Sequence, residues 1–224
     1  TPVLVRREYN DSFIIEHSRD EEGKKLRKTI QKGRKLSNDY EGKELEMEIN
    51  KIIDLRRYYR WLSFNYLVMN GDYTDEVFFY YDDDNNTFKV IPWDYDDVFS
   101  SQPHEGWQQR KKNINNSLIF SGEAYLDRVI DKDEYMYLQY LDEFDKLIEN
   151  MTPEMVEKSF LQVYQELYPF YTTPEILERS SLDQYGLTDL VSLEEDLNRH
   201  YSFLIQRLIS TKRDIQTEKT RISQ

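Results

Sequence analysis

Four aspartates stand where chemistry could be done. Asp72 closes the string "MNGD", and Asp94, Asp96 and Asp97 crowd the string "KVIPWDYDDVFS" at residues 89–100. The second string enters from an apolar run, and carboxylates avoid cores unless something positive meets them. Hard oxygen donors of this kind suit Mg²⁺, whose charge would let several carboxylates share one strand end. One carboxylate to orient an attacking hydroxyl and another to hold a metal on nucleotide phosphates is the equipment of phosphoryl transfer. Two other uses of the same residues stand beside it. Asp72 and Asp94 could be the acid and nucleophile of a glycoside hydrolase, although the crowding of acids on a single loop suits a metal better. Alternatively, Asp72 only ends a helix and the later acids form a solvated loop, with Trp93 as a core anchor.

The surrounding elements must bring Asp72 and Asp94 together. Asp54 fits a helix N-cap, and Leu55, Tyr59, Leu62, Tyr66 and Met69 recur at spacings of four and three residues. That is one apolar helix face, ended by Asn70-Gly71. "EVFFYY" (76–81) and "TFKVIPW" (87–93) flank "DDDNN" and read as a hairpin. A hairpin returns the chain to its start, so Asp72 and Asp94 can face one pocket. Its turn also carries Asp82, Asp84 and Asn86 at calcium-loop offsets, but Thr87 and Trp93 stand where the glycine and glutamate belong, and it reads as a plain turn.

Elsewhere, "VLVRREYNDSFII" (3–15) reads as a strand running into a turn or short helix. Residues 18–42, with Lys24, Lys25, Arg27, Lys28, Lys32, Arg34 and Lys35, read as a solvated helix and loop rather than a phosphate site. Residues 43–53 look helical, as does everything from 120 onward. Thr152 is placed as an N-cap with Pro153 at the first helical position. Ser192 and Glu195 are placed as a capping box, with Leu193, Leu197, Tyr201, Leu204 and Leu208 on one face. The expectation is a mainly α chain with a small β-hairpin, an α+β class. It reads as one domain over 1–224, with a motif core at 52–99 and a helical remainder at 120–224.

Composition narrows the classes further. Of 224 residues, 43 are acidic and 30 basic, a net charge of −13. Duplex-binding surfaces show the opposite balance, so no nucleic-acid partner is expected. The chain has no cysteine, which removes disulfides, zinc–thiolate sites and thiol nucleophiles. It has no glycine-rich phosphate loop, and no run approaches the roughly 18 apolar residues of a membrane span. The first residue is Thr rather than Met, which reads as a processed or excised chain and leaves the compartment open.

The stretch "SFNYLVMNGDYTDEVFFYYDDDNNTFKVIPWDYDDVF" resembles the core of the spore coat protein H (CotH) kinase family. Members show a similar order of helix, N-x-D, hairpin and I-P-W-D-x-D-x-x-F-G. The match runs over about 52–99, with weaker similarity at "LVRREYNDSFI". The resemblance implies an atypical protein-kinase-like fold, of which this chain looks like the large, C-terminal lobe. It also implies ATP with Mg²⁺ (or Mn²⁺), and phosphorylation of serine or threonine hydroxyls on a protein substrate of surface or spore-coat type. The implied setting is bacterial: cell surface, secreted or spore coat. Carried over residue by residue, Asp72 takes the catalytic-loop position, and Asp94 takes the metal position on the nucleotide. Asp96 is the second metal acid. Asn70 shapes the loop at the cofactor, and Glu76 offers it a further oxygen. Glu76 and Val77 stand where the family usually has asparagine, and Ser100 where it often has glycine. The small lobe, with its ATP-contacting lysine or arginine, has no counterpart in the chain and is expected as a missing partner element. A non-catalytic, kinase-like binding or surface module is the alternative these departures keep open.

Overall fold

The computed structural model describes residues 3–8, 11–17, 20–74, 77–101, 117–178 and 182–224. Strands β1 (Leu4–Arg7), β2 (Phe13–His17), β3 (Val77–Asp82) and β4 (Thr87–Ile91) form one antiparallel sheet in the order β2-β1-β3-β4. The expected hairpin is the β3–β4 half of it. Of the N-terminal reading, a strand running into a turn or short helix, the strand and the turn are present, with the Asp11 N–H donating to the Glu8 carbonyl at 2.8 Å, and the rest is corrected: the chain returns as a second strand. Val5 pairs with Ile15 on one side and with Phe79 on the other. A central strand flanked on both sides can bury a branched residue completely, as Val5 is.

Helices α1 (Glu21–Gly33), α2 (Gly42–Asn50) and α3 (Leu55–Val68) come from the segment between β2 and β3. Asp20 caps α1 by accepting from the Gly23 N–H at 2.8 Å. As expected, α1 carries a solvated face, with Glu21, Glu22, Lys24, Lys25, Lys28 and Lys32 exposed, while the buried Ile30 fixes which face turns inward. Asp54 caps α3, accepting from the Arg57 N–H at 3.0 Å. From α3, Leu55, Tyr58, Tyr59 and Leu62 are buried, and the Tyr58 ring stacks parallel to that of Phe79. Phe79 in turn meets Phe13 edge-on. Tyr58 and Tyr59 are thus core residues whose hydroxyls find partners in Asp127 and Glu46.

Helix α3 starts beside β4: the Asp54 N–H donates to the Phe88 carbonyl at 2.9 Å, and the Phe88 N–H to the Ile52 carbonyl at 2.7 Å. Fourteen helical residues rise about 21 Å at 1.5 Å each. An extended chain from Phe88 to Asp94 covers about 20 Å. A helix and a strand that begin side by side therefore also finish side by side, which is what the acidic corners require.

The remaining helices are α4 (Tyr125–Lys132), α5 (Glu134–Asn150), α6 (Pro153–Tyr171), α7 (Pro174–Leu177) and α8 (Leu190–Ile222). The chain divides into two compact units, 1–147 with 214–224, and 148–213. In the first, Met136, Tyr137, Tyr140, Leu141 and Phe144 of α5 are buried. In the second, Thr152 caps α6 as expected, accepting from the Met155 N–H at 3.2 Å. The Ser192–Glu195 capping box is corrected. Asp189 accepts from the Ser192 N–H at 2.8 Å and the Ser192 hydroxyl accepts from the Asp189 N–H at 3.0 Å, so the reciprocal pair sits three residues earlier and the helix opens at Leu190. A carboxylate is the stronger acceptor for a helix N-terminus. Leu193, Leu204 and Leu208 are buried on the face the spacing indicates, while Leu197 and Tyr201 are half-buried. Among the described residues, no helix is long and apolar enough to cross a membrane.

Candidate functional site

The C-terminal end of α3 builds the first corner. Met69 takes a left-handed conformation (φ 51°) as the helix cap, and the Asn70 N–H returns to the Asn65 carbonyl at 3.0 Å. Asn70 is fully buried and uses both ends of its amide. Its Nδ2 donates to Asn65 Oδ1 at 3.0 Å and to the Asp94 carbonyl at 3.2 Å, while its Oδ1 accepts from the Asp72 N–H at 3.1 Å. One side chain thus ties α3, the Asp72 backbone and the Asp94 backbone together. Asn65 is oriented from behind, donating to the Trp61 carbonyl at 2.7 Å.

The segment after β4 lies against this corner. The Gly71 N–H donates to the Asp97 carbonyl at 2.9 Å, the Phe99 N–H to the Val68 carbonyl at 2.7 Å and the Ser100 N–H to the Met69 carbonyl at 3.0 Å. Gly71 permits the approach through its size: a Cβ there would run into the Asp97 carboxylate and sit 3.0 Å from the Ser100 side chain. Asp94 and Phe99 both have positive φ, 56° and 62°. Such conformations cost energy in a residue with a Cβ, and aspartate tolerates them better than most. The left-handed step at Asp94 bends the chain out of the β4 direction.

"DYD" alternates in direction. Tyr95 packs edge-on to Phe64 of α3, and burial pushes its phenol up to about 12, against the pull of Asn65 and Trp61. Asp94 and Asp96 on either side of it are exposed. Carboxylate oxygens of Asp72, Asp94 and Asp96 all lie within 4.8 Å of one another. Each pair of charges at that distance repels by about 1 kcal/mol in water, a cost a shared cation removes. An ion holding oxygens at about 2.1 Å spans donors up to roughly 4.2 Å apart, so small side-chain rotations suffice, and the all-oxygen donor set fits a hard divalent ion.

The sequence-based candidates therefore divide. Asp72, Asp94 and Asp96 are brought together with Asn70 behind them, and Glu76 lies outside the described residues. Asp97 belongs to the joint with Gly71. Trp93 is 54% exposed and sits edge-on to Phe78, so it is no core anchor. The hairpin turn uses Asp82 internally, which accepts from Lys89, from the Asn85 amide and from the Asp84 N–H. Asn65 and Tyr95 escaped the sequence reading. Their signals were a polar residue inside an apolar helix and an aromatic one between two acids.

The sequence profile described as "CotH kinase protein" matches residues 6–211. The chain belongs to the CotH kinase protein family. The inner spore coat protein H of Bacillus subtilis (strain 168) is 25% identical to it over 129 residues, 57% of this chain and 34% of that protein. The aligned part thus spans about a third of that relative's length. Within the family match lie both corners of the site and the whole four-stranded sheet except Leu4 and Val5 of β1.

Proposed function

We propose that this CotH-family chain carries the catalytic and metal-binding loops of an atypical protein kinase, in a protein-kinase-like large lobe. The reaction is transfer of the γ-phosphoryl group of ATP, with Mg²⁺ or Mn²⁺, to serine or threonine hydroxyls of a protein. The convergence of Asp72, Asp94 and Asp96 supports this reading above all else. Asp94 and Asp96 are the residues that would hold the ion, which when bound supplies neutralising charge at the phosphates. Asp72, half-buried at the opposite corner, accepts the proton of the acceptor hydroxyl. The hydroxyl oxygen bonds to the γ-phosphorus as the bond to the leaving ADP oxygen breaks. Asn70 keeps the two corners in register, and Glu76 enters on family order alone. Three converging acids suit a cation better than the two separated carboxylates of a glycoside hydrolase. The name of the Bacillus relative supports a bacterial spore-coat or surface setting, with a coat or surface protein as substrate.

Two measurements test the reading: Mn²⁺ titration of this chain followed by electron paramagnetic resonance, and phosphotransfer from ATP by the whole protein. Wild type is expected to bind the ion and to phosphorylate protein, and Asp94→Ala to lose both with an unchanged circular dichroism spectrum. Undiminished Mn²⁺ binding or phosphotransfer in Asp94→Ala overturns the assignment. Ion binding by wild type without phosphotransfer supports the non-catalytic module instead.

A further inference from the structure

Beneath the loop that carries Asp72 lies a carboxyl group outside the acidic cluster. Asp127, in the first turn of α4, is completely buried. Its Oδ1 accepts from the Tyr58 hydroxyl at 2.6 Å, and its Oδ2 lies 3.4 Å from the Tyr73 hydroxyl. Tyr73 directly follows Asp72. Its hydroxyl oxygen also accepts from the Ser121 N–H at 2.9 Å and stands 2.9 Å from the Ser121 carbonyl.

The proton count decides what this arrangement can be. A phenol has one proton to donate, yet both the Ser121 carbonyl and Asp127 Oδ2 face the Tyr73 oxygen. If Asp127 is ionised, the charged acceptor draws the phenol proton, and the carbonyl of the completely buried Ser121 loses it. An unmet buried acceptor is costly. If Asp127 keeps its proton, every contact has a donor. The Tyr58 hydroxyl donates to Oδ1, the Asp127 hydroxyl to the Tyr73 oxygen, and the Tyr73 hydroxyl to the Ser121 carbonyl.

The same loop is held on its other side. The Thr74 carbonyl accepts from Arg7, a buried residue of β1 whose guanidinium lies 3.5 Å from Asp11. Asp11 also pairs with Arg128 at 3.1 Å and accepts from the Tyr125 N–H at 2.8 Å. Loop, sheet and α4 thus meet in one buried polar network.

We propose that Asp127 is a positioning residue that holds its proton in the folded protein and clamps Tyr73, and with it the Asp72 corner, against Ser121, so that assembly of the acidic cluster is coupled to this proton. The coupling rests on the reading of that cluster given above. The groups facing Asp127 are Tyr58 from α3, Tyr73 from the loop, Arg7 from β1, Asp11 from the turn after it, and Arg128 from α4 itself. Burial is the largest influence and pushes the carboxyl up to about 7; Tyr58 and the two arginines pull it down, and Asp11 pushes it up. Unfolded, the group titrates near 3.8. Between these values the folded chain binds the extra proton, so stability falls as pH rises through that window. The contribution is complete below the unfolded value and gone above the folded one.

Asp127→Asn imitates the protonated form, accepting from Tyr58 and donating to Tyr73, and has nothing to titrate. The melting temperature of this chain should fall between pH 5 and pH 8 in wild type and fall distinctly less in Asp127→Asn. Mn²⁺ affinity should weaken several-fold from pH 6 to pH 8 in wild type, stay level in Asp127→Asn, and be weak at both pH values in Tyr73→Phe, with an unchanged circular dichroism spectrum. An unchanged melting slope in Asp127→Asn overturns the proton assignment. Equal Mn²⁺ affinity of wild type and Tyr73→Phe at both pH values overturns the coupling. Absence of Mn²⁺ binding from every form strikes the metal reading and the coupling with it, while the melting slopes still decide where the proton sits.

Discussion

Residues 82–86 and 94–97 are two acidic stretches of similar composition, each at or just past the end of a strand of the same hairpin, and they end in opposite ways. In the first, Asp82 turns back on its own hairpin, taking the Lys89 ammonium, the Asn85 amide and the Asp84 N–H. In the second, a left-handed residue, an inward tyrosine and a glycine-sized gap in the facing loop turn Asp94 and Asp96 toward Asp72. Acid density alone therefore does not make a site. A site arises where backbones from two elements are tied so that like charges cannot separate, and Asn70 supplies that tie.

The strongest attempt to break the contrast is a pair of isosteric changes, Asp72→Asn and Asp84→Asn. Loss of a positioned general base costs about 10²- to 10⁴-fold in rate. In the proposed reaction Asp72 acts on the acceptor, so Asp72→Asn is expected to lower kcat by that order with little change in ATP binding. Asp84→Asn in the exposed turn is expected to match wild type. Steady-state phosphotransfer with both variants of the whole protein decides it; a comparable loss from Asp84→Asn erases the distinction between the stretches.

How much of this was legible beforehand follows from how local each signal is. Leu55, Tyr59 and Leu62 announce α3 through spacing, Asp54 marks its start and Asn70-Gly71 its end, and these are short-range effects. The aromatic runs of β3 and β4 are equally local. What was not legible is long-range. Nothing near Val5 says that it pairs with Phe79, or that Phe13–His17 folds back to cover its other side. Asp127 likewise reads as an ordinary acid in the first turn of a helix, and only the approach of Tyr58 and Tyr73 changes its meaning. At the site, the identities of the acids were visible in the sequence, whereas the parts of Asn65, Tyr95 and Gly71 in holding them depend on packing.

A smaller effect sharpens the comparison through backbone space. Gly71→Ala places a methyl group against the Asp97 carboxylate and Ser100, a case of overpacking worth about 1–3 kcal/mol. It is expected to lower the unfolding free energy by that order and to weaken Mn²⁺ binding, because the Asp94–Asp96 segment must shift. In the hairpin turn, Asn86 has φ 54°, which glycine adopts freely, so Asn86→Gly is expected to change stability by no more than about 0.5 kcal/mol. Urea titrations of the two variants test both statements. A Gly71→Ala chain as stable and as metal-competent as wild type shows that the close approach does not hold the corner.

The smallest effect concerns the charge that the hairpin has already neutralised. Hydrogen bonding from the Lys89 ammonium, then from the Asn85 amide, holds the Asp82 carboxyl down at about 2, below its ordinary 3.8. A depressed folded value means that the ionised form is favoured in the folded state. Its contribution is present above the ordinary value and is lost as pH falls through the folded one. Asp82 ends β3 and Lys89 lies in β4, both half-buried beside the exposed turn, and an ion pair at such an edge is weak and screened by salt. Asp82→Asn is therefore expected to melt slightly below wild type at neutral pH, with the gap narrowing at 1 M salt and closing as pH falls from about 4 to about 2. Because Asp82 is spent inside its own hairpin, Mn²⁺ binding should match wild type throughout. If Asp82→Asn instead weakens Mn²⁺ binding at neutral pH, the turn contributes to the acidic site, and the two stretches must be read as one.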